Sequence, residues 1–168
     1  MKLNAIPAML SMFPSLFRSF DLRDLETIKK IVRQAYPSVP QVSGETLVEW
    51  RRADVSILLV DVRSNEEFAV SHLQDAINLR FADEITKAVA EYNPASTILY
   101  CSVGFRSSRL AHVLEKQGLA GVMNLEGSIF QWANDGRAVF RGDFRVQQVH
   151  PYRKVWAGML KPGLASDC

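Results

Sequence analysis

The segment TILYCSVGFRSSRL, residues 97–110, holds the strand, loop and helix pattern around which the rest of the chain is arranged. The β-formers of residues 97–100 predict a strand that ends at Cys101. Apolar residues at helical spacing predict a helix over residues 107–117, closed by Gly118, with its N-cap inside the loop or at its first residue. The sequence therefore predicts that Cys101 lies between the end of a strand and the start of a helix.

A cysteine in this position faces unpaired backbone N–H groups and the positive end of a helix dipole. Both favour the thiolate and lower the cysteine pKa, and Arg106 does the same if its guanidinium turns toward the loop. Gly104 lets the backbone turn tightly enough for successive N–H groups to converge. We therefore interpret the loop as an anion cradle around a nucleophilic Cys101. The alternative, a small core cysteine, is disfavoured by the Ser, Gly and Arg residues that follow it.

The cysteine loop contains no histidine, and the three histidines of the chain (His72, His112 and His150) are remote from it in sequence. A Cys–His hydrolase needs a base placed against the sulfur. A cysteine activated by the cradle alone suits a reaction whose leaving group is already a stable anion. Transfer of sulfane sulfur from thiosulfate is such a reaction, because sulfite leaves without a general acid.

The motif Cys101-x-x-Gly104-x-Arg106-Ser107 resembles the active-site loop of single-domain rhodaneses, which are sulfurtransferases. Further blocks similar to the family lie on both sides of it: LLVDVR (58–63), EF (67–68), HL (72–73) and AINL (76–79) upstream, and LEGSI (125–129), Trp132, Gly136 and AV (138–139) downstream. The resemblance covers about residues 43–140, with its blocks in the family's order and spacing. The sequence departs from the family's pattern at three places, which lie in turns and not in the cysteine loop: Ser71, Gln74-Asp75 and Gly127-Ser128.

Short apolar strands that alternate with helices predict an α/β domain with a parallel sheet. The resemblance implies a rhodanese-like domain, in which a central parallel sheet is flanked by helices, with helical N-terminal and C-terminal extensions. We expect residues 41–140 to form this domain and residues 1–40 to form an apolar segment and a helix. That helix is predicted at residues 21–36, with Asp21 as its cap. We expect residues 141–168 to form a tail that packs on the domain or on a partner.

Cys101 is the predicted catalytic residue, and the residues around it are predicted to bind substrate: Ser102, Val103, Gly104, Phe105, Arg106, Ser107 and Arg109. Arg106 is expected to hold the anionic donor or to shape the cradle. Arg109 is expected to face the pocket mouth, with a solvated helix face as the alternative. Phe105 at the loop tip is interpreted as an apolar rim or a partner contact.

Three charged residues upstream are predicted to support the loop. The resemblance implies that Arg63 and Glu67 pair across a strand-to-helix turn, which agrees with the rule that charges near a core are paired. Asp61 is expected to orient the cysteine loop by accepting from backbone N–H groups. His72 is interpreted as a hydrogen-bonded turn residue rather than a base, and His112 as a surface or packing residue.

These features together predict a sulfurtransferase that moves sulfane sulfur from thiosulfate or a persulfide donor to a thiophilic acceptor through a Cys101 persulfide, without a metal or an organic cofactor. The acceptor is cyanide in the test tube, and glutathione, a dithiol or a protein thiol in the cell. Three alternatives remain. One is a persulfide carrier with little thiosulfate activity. The second is a phosphatase or arsenate reductase of the same fold, whose loop is one residue longer than residues 101–106. The third is an inactive binding module, a class that usually lacks the cysteine.

Composition narrows the class of protein further. The 168 residues, 48% hydrophobic and 23% charged, fit one globular domain with extensions. A formal net charge of +2 is too small to indicate a nucleic-acid partner. The two cysteines, Cys101 and Cys168, do not make a disulfide framework and suit a reducing compartment. Cys168 is interpreted as a mobile terminus, with a second, resolving thiol as the alternative.

Residues 1–20 are apolar, but Pro7 and Pro14 interrupt them, so we predict neither a transmembrane helix nor a cleaved signal. The protein is placed in the cytoplasm by default. The segment is interpreted as a docking arm for its own domain or for a second subunit, compatible with a homodimer, with a membrane-surface anchor as the less favoured alternative. We assign no mechanism to His150-Pro151-Tyr152. The tail around it is predicted to fold back on the domain or the N-terminal helix, and the alternative is a partner-binding tail.

Overall fold

The computed structural model describes residues 24–167. The apolar segment 1–20, Asp21 and Cys168 lie outside the described residues, as do the predictions made for them. Helix α1 spans Leu25–Ala35, and the Asp24 side chain caps it by accepting from the backbone N–H of Thr27 at 2.9 Å. Of the helix predicted over residues 21–36, the structure therefore describes Leu25–Ala35, with Asp24 as its cap.

A five-stranded parallel sheet forms the centre of the molecule. Its strands are β1 (Gln41–Val42), β2 (Ile57–Asp61), β3 (Ile77–Asn78), β4 (Ser96–Tyr100) and β5 (Val122–Leu125), in the order β1-β5-β4-β2-β3. The helices between them are α2 (Gly44–Arg52), α3 (Asn65–Val70), α4 (Ala82–Tyr92), α5 (Phe105–Lys116) and α6 (Ser128–Asn134). This arrangement confirms the predicted α/β fold with a central parallel sheet flanked by helices.

Strand β4 is the middle strand, and its side chains alternate between two apolar clusters. Ile98 and Tyr100 belong to the cluster that includes α1, α6 and the tail, whereas Leu99 and Cys101 belong to the cluster that includes α4 and α5. Because the strands are parallel, their carboxyl ends meet at one edge of the sheet, where ligands bind in such folds. The cysteine loop therefore begins at the centre of that edge.

Helix α5 begins at Phe105, two residues earlier than predicted. Its N-cap is Gly104, which has a left-handed backbone with φ of 99° that residues with a side chain rarely adopt. The early start places Arg106 and Ser107 in the first turn of the helix, next to the sulfur of Cys101.

The tail begins with an antiparallel ribbon of β6 (Val139–Arg141) and β7 (Phe144–Val146), followed by one 3-10 helix at Lys154–Met159. The C-terminal extension, expected to be helical, therefore contains a helix but begins with a ribbon. Strand β6 also bridges to His72, which ties the ribbon to the segment after α3. Val149, Met159 and Leu160 are buried in the same apolar cluster as α1 and α6. Within residues 24–167 no helix is both long and apolar enough to cross a membrane.

Candidate active site

The Cys101 loop is held between the end of β4 and the starts of two helices. The backbone N–H of Gly104 donates to Cys101 Sγ at 3.2 Å. The backbone N–H of Cys101 donates to Ser128 Oγ at 3.1 Å, and its carbonyl accepts from the N–H of Ile129 at 3.2 Å. Helix α6 therefore holds the Cys101 backbone, while the Gly104 amide donates to the sulfur. The Cys101 residue is only 1% exposed.

Burial and charge act in opposite directions on the Cys101 thiol. Burial raises its pKa, because a thiolate is poorly solvated there. The Arg106 guanidinium, the side chain and backbone N–H of Ser107 and the backbone N–H of Val103 lower it. The net result holds the pKa of Cys101 below its ordinary value. This balance is the one expected for a nucleophilic cysteine rather than an inert core cysteine.

A buried polar network behind the loop fixes the Ser107 hydroxyl. Ser107 Oγ donates to Asn124 Oδ1 at 2.6 Å, and Asn124 Nδ2 donates to Gln41 Oε1 at 2.6 Å. Gln41 and Asn124 are register partners on β1 and β5, so their side chains share one face of the sheet. A Cβ on Gly104 would lie 3.1 Å from Asn124 Nδ2, so the network packs directly beneath the loop. Sequence reasoning missed Asn124 and Gln41, because the β1–β5 register is not visible in the sequence.

Arg106 and Glu67 form a bidentate ion pair beside the sulfur. Arg106 Nη1 donates to Glu67 Oε2 at 2.8 Å, and Nη2 donates to Oε1 at 2.7 Å and to Ser102 Oγ at 2.9 Å. The Ser102 hydroxyl in turn donates to Glu67 Oε1, and the backbone N–H of Ser64 donates to Oε2. Burial raises the pKa of Glu67, but Arg106 and Ser64 outweigh it and lower that pKa to about 2. Of the two roles expected for Arg106, these bonds favour shaping the cradle.

Arg63 pairs with Asp61, so the predicted pair of Arg63 with Glu67 is wrong. Asp61 accepts from Arg63 Nε at 2.9 Å, from Nη2 at 2.7 Å and from the Arg63 backbone N–H at 2.9 Å. Arg63 Nη2 also donates to the Ser71 carbonyl at 2.6 Å. The expectation that Asp61 orients the cysteine loop through backbone N–H groups is also wrong, because Arg63 takes up its carboxylate. Burial, followed by the Asp61 charge, raises the pKa of Tyr100, whose phenol lies beside this pair.

The remaining predicted binding residues lie in three different surroundings. Val103 is buried in the α1 and α6 cluster and offers the sulfur only its backbone N–H. Phe105 packs edge-on against Tyr36, with ring centroids 5.4 Å apart, so the segment after α1 reaches the loop tip. Arg109 is exposed on α5, and its charge acts on the Tyr36 phenol. The structure therefore brings Val103, Gly104, Arg106 and Ser107 to the sulfur, places the Ser102 hydroxyl on the Arg106–Glu67 pair, and leaves Arg109 at the surface.

Both histidines of the domain are engaged away from the sulfur. His72 stacks on Phe68 with ring centroids 4.2 Å apart, and its Nδ1 lies 2.9 Å from the Leu73 carbonyl. His112 Nδ1 lies 3.2 Å from Ser38 Oγ at the surface of α5. These contacts agree with the interpretation of both as turn or packing residues. Among residues 24–167, no group of three or more His, Cys, Asp or Glu side chains is arranged to hold a metal ion.

Tyr152 is the site residue for which sequence reasoning found no role. The Arg106 Cζ atom lies 4.5 Å from the centre of the Tyr152 ring, which is a cation–π distance. The Tyr152 ring also packs at 5.1 Å from the Trp156 ring. The His150-Pro151-Tyr152 motif was visible in the sequence, but nothing in it indicates that the tail returns to the cysteine loop.

Comparison with known proteins places this geometry in a family context. The family model described as the Rhodanese-like domain matches residues 45–135. A protein named Sulfurtransferase from Allochromatium vinosum is 32% identical over 99 residues, 58% of this chain and 92% of that protein. An uncharacterized protein from Synechocystis is 30% identical over 95 residues, 56% of this chain, and the match spans only about half (52%) of that relative's length. Among solved structures, the thiosulfate sulfurtransferase of Pseudomonas aeruginosa has a TM-score of 0.60 at 18% identity, over 83% of this chain and 27% of that one.

Proposed function

The chain belongs to the rhodanese-like domain family, and from this we propose that it is a sulfurtransferase that carries sulfane sulfur as a persulfide on Cys101. The observation that carries the proposal is the position of Cys101 Sγ at the start of α5, where backbone N–H groups and Arg106 lower its pKa without a histidine base. The relative named Sulfurtransferase supports the same class of reaction.

In the first step, the Cys101 thiolate attacks the outer sulfur of thiosulfate or of a small persulfide. A bond forms between Cys101 Sγ and that sulfur, and the bond to the rest of the donor breaks. Sulfite or a thiolate leaves with the electron pair, so the leaving group needs no proton from the protein. The backbone N–H groups of the loop would stabilise the negative charge of the persulfide, as the donors of an oxyanion hole stabilise an alkoxide.

In the second step, a thiophilic acceptor attacks the outer persulfide sulfur. The bond from that sulfur to Cys101 Sγ breaks, and the electron pair returns to Cys101 as a thiolate. The same features that lower the Cys101 pKa make it a good leaving group, so one cradle serves both steps. We propose small sulfur donors with small thiols, cyanide or a protein thiol as acceptors, and a reducing compartment such as the cytoplasm, where the thiolate persists.

The residues around the sulfur have different roles in the proposed reaction. Ser102, Val103, Gly104 and Ser107 supply hydrogen-bond donors or fix those that do. Arg106 acts through its charge while Glu67 holds its guanidinium in place. Phe105 and Arg109 border the loop from outside, where they would contact the incoming donor or acceptor.

The test is the intact mass of the protein after incubation with thiosulfate, with Cys101→Ser as the matched variant. We expect the wild type to gain the mass of one sulfur atom, to lose it on addition of cyanide, and the variant to gain nothing. A gain from a persulfide donor but not from thiosulfate would support the persulfide and favour the carrier alternative. If no donor adds sulfur while Cys101 still reacts with iodoacetamide, the sulfurtransferase proposal is wrong.

A further inference from the structure

After the ribbon, backbone hydrogen bonds between Val149 and residues 164–166 close the tail into a loop. The backbone N–H of Val149 donates to the Leu164 carbonyl at 2.7 Å, and the N–H of Ser166 donates to the Val149 carbonyl at 3.0 Å. Asn134 at the end of α6 accepts from the Lys161 N–H at 2.8 Å and donates to the Met159 carbonyl at 2.7 Å. The first two bonds close the tail on itself, the Asn134 bonds join its second half to the domain, and Val149 at its start is buried in the α1 and α6 cluster, so the residues between them are presented in a defined position.

The turn at Tyr152 has an uncommon backbone conformation. Tyr152 has φ of 63°, a left-handed value that a bulky residue rarely adopts. The backbone N–H of Arg153 donates to the Pro151 carbonyl at 2.7 Å, which closes a tight three-residue turn around Tyr152. His150 Nδ1 accepts from the Tyr152 N–H at 2.9 Å and holds the turn from the other side. Such conformations persist only where the surroundings enforce them, and they cluster at functional sites.

This strained turn directs the Tyr152 ring onto Arg106. Glu67 and Ser102 accept from the two terminal nitrogens of the Arg106 guanidinium, and the Arg106 side chain is still 24% exposed. The Tyr152 ring covers one face at 4.5 Å. A guanidinium shielded from water exerts a stronger field on its neighbours than a hydrated one, because the effective dielectric around it is lower.

We propose that Tyr152 is a positioning residue of the active site, whose ring holds Arg106 against Glu67 and Ser102 and keeps water off the guanidinium, so that its charge acts on Cys101. This inference rests on the proposed function only in taking Cys101 as the nucleophile. It extends the site beyond residues 45–135, which match the family model, to a tail residue.

The charged and titratable groups that face this arrangement come from three elements. Arg106 lies on α5 with the Cys101 loop, Glu67 faces it from α3, and Tyr152 faces it from the tail. Arg153, also of the tail, lies with its Cζ atom 5.7 Å from the Tyr152 ring centre, farther than Arg106 Cζ at 4.5 Å. Arg63 also acts on Glu67 through its charge. Of these groups, Arg106 lowers the pKa of Cys101 and loses its cover when the Tyr152 ring is removed.

The experiment measures the pH midpoint of Cys101 alkylation by iodoacetamide in a Cys168→Ser background, so that one thiol is read. Tyr152→Gly removes the ring, and glycine adopts the left-handed backbone without strain, so the variant is expected to fold. We expect the midpoint to rise by about half to one pH unit, because the hydrated Arg106 stabilises the thiolate less. Tyr152→Phe keeps the ring and is expected to titrate like the wild type.

Val155→Ala is the matched control, because Val155 is an exposed apolar residue of the same tail loop. We expect its midpoint to stay at the wild-type value. The proposal is overturned if Tyr152→Gly titrates at the wild-type midpoint, or if Tyr152→Phe or Val155→Ala shifts as far as Tyr152→Gly. Should Tyr152→Gly not fold, Tyr152→Asn also tolerates the left-handed turn and is read in the same way.

This titration requires no sulfur transfer, so it separates the two proposals. A wild type with a low midpoint that depends on Tyr152, but with no persulfide from any donor, would reject the proposed function and support the positioning role. If the wild type forms the persulfide but the midpoint is the same with and without the Tyr152 ring, the proposed function is supported and the positioning role is rejected.

Discussion

Two of the arginine–carboxylate pairs near the carboxyl edge of the sheet, Arg63–Asp61 and Arg106–Glu67, differ in whether they contact the cysteine loop. Arg63 Nη2 lies 2.7 Å from Asp61 Oδ2, and both side chains are 0% exposed. Arg106 Nη2 lies 2.7 Å from Glu67 Oε1, with side chains 24% and 4% exposed. The chemistry and the distance are the same, so the difference in role comes from which segments each pair joins.

The Arg63 pair is local, since its partners are two residues apart at the end of β2. It closes the turn into α3 and lies beside the Tyr100 ring, on the side of the sheet away from Cys101. The Arg106 pair joins residues 39 apart and connects α3 to the cysteine loop. A local buried pair stabilises a turn, whereas a long-range pair places a charge, and this distinction predicts different responses to substitution.

Breaking the local pair gives the largest expected loss of stability. Arg63→Met leaves the Asp61 carboxylate buried without its partner, and removing one member of a buried pair costs about 3–5 kcal/mol. Urea unfolding followed by circular dichroism measures the loss. We expect Arg63→Met/Asp61→Leu to recover much of it, because neither charge then remains buried. A loss below about 1 kcal/mol in the single variant would contradict the interpretation of this pair as a stabilising element.

The Arg106–Glu67 pair predicts that the stability of the protein depends on pH in the acid range. The pKa of Glu67 is lowered from 4.5 to about 2 in the folded protein, so the unfolded chain takes up the proton first as the pH falls. The stabilisation is complete above pH 4.5 and is lost as the pH falls through about 2. The shift corresponds to about 3 kcal/mol. Stability measured against pH is expected to fall across this window in the wild type.

Glu67→Gln is the control for this acid loss, because it keeps the shape of the side chain but does not titrate. We expect it to be less stable at neutral pH and to show a flatter stability profile between pH 4.5 and about 2. An equally steep profile in Glu67→Gln would assign the acid loss to other carboxylates and would remove this difference between the two pairs.

The sequence was sufficient for those parts of the site that depend on neighbouring residues. The strand, the glycine turn and the helix that position Cys101 follow one another within a short stretch of chain. Composition and spacing are therefore enough to predict these three elements. The partner predicted for Arg63 is wrong, because spacing cannot distinguish an Arg63 that turns back to Asp61 from one that reaches Glu67. Tyr152 was missed for a related reason: its contact with Arg106 depends on a tail that folds back over the domain. Residues brought together by tertiary packing leave no local signal.

A smaller effect is expected from the hydrogen bonds of the loop, which act on Cys101 in addition to the charge of Arg106. Ser107→Ala removes a hydroxyl with a single proton, which goes to Asn124 Oδ1 in the structure and lowers the pKa of Cys101 when it is given to the thiolate instead. We expect the alkylation midpoint of Cys101 to rise and stability to fall by about 1 kcal/mol. Ser108→Ala is a close control, because Ser108 is equally buried but its hydroxyl has no hydrogen-bond partner in the part of the chain that the structure describes. Equal shifts in the two variants would show that packing, not the Ser107 hydroxyl, sets the midpoint.

The smallest expected effect concerns Arg109, which differs from the two paired arginines in being exposed on α5. Arg109→Gln is expected to change stability by less than about 0.5 kcal/mol, because it removes neither a buried contact nor a cap. If its charge guides the anionic donor to the loop, KM for thiosulfate should rise about twofold at low salt and return toward the wild-type value at high salt. Arg52→Gln is the comparison, because exposed Arg52 ends α2 just before β2 begins, at the opposite edge of the sheet. Equal changes in both variants would mean that net charge, not position, attracts the donor, and Arg109 would then be a solvated helix residue outside the site.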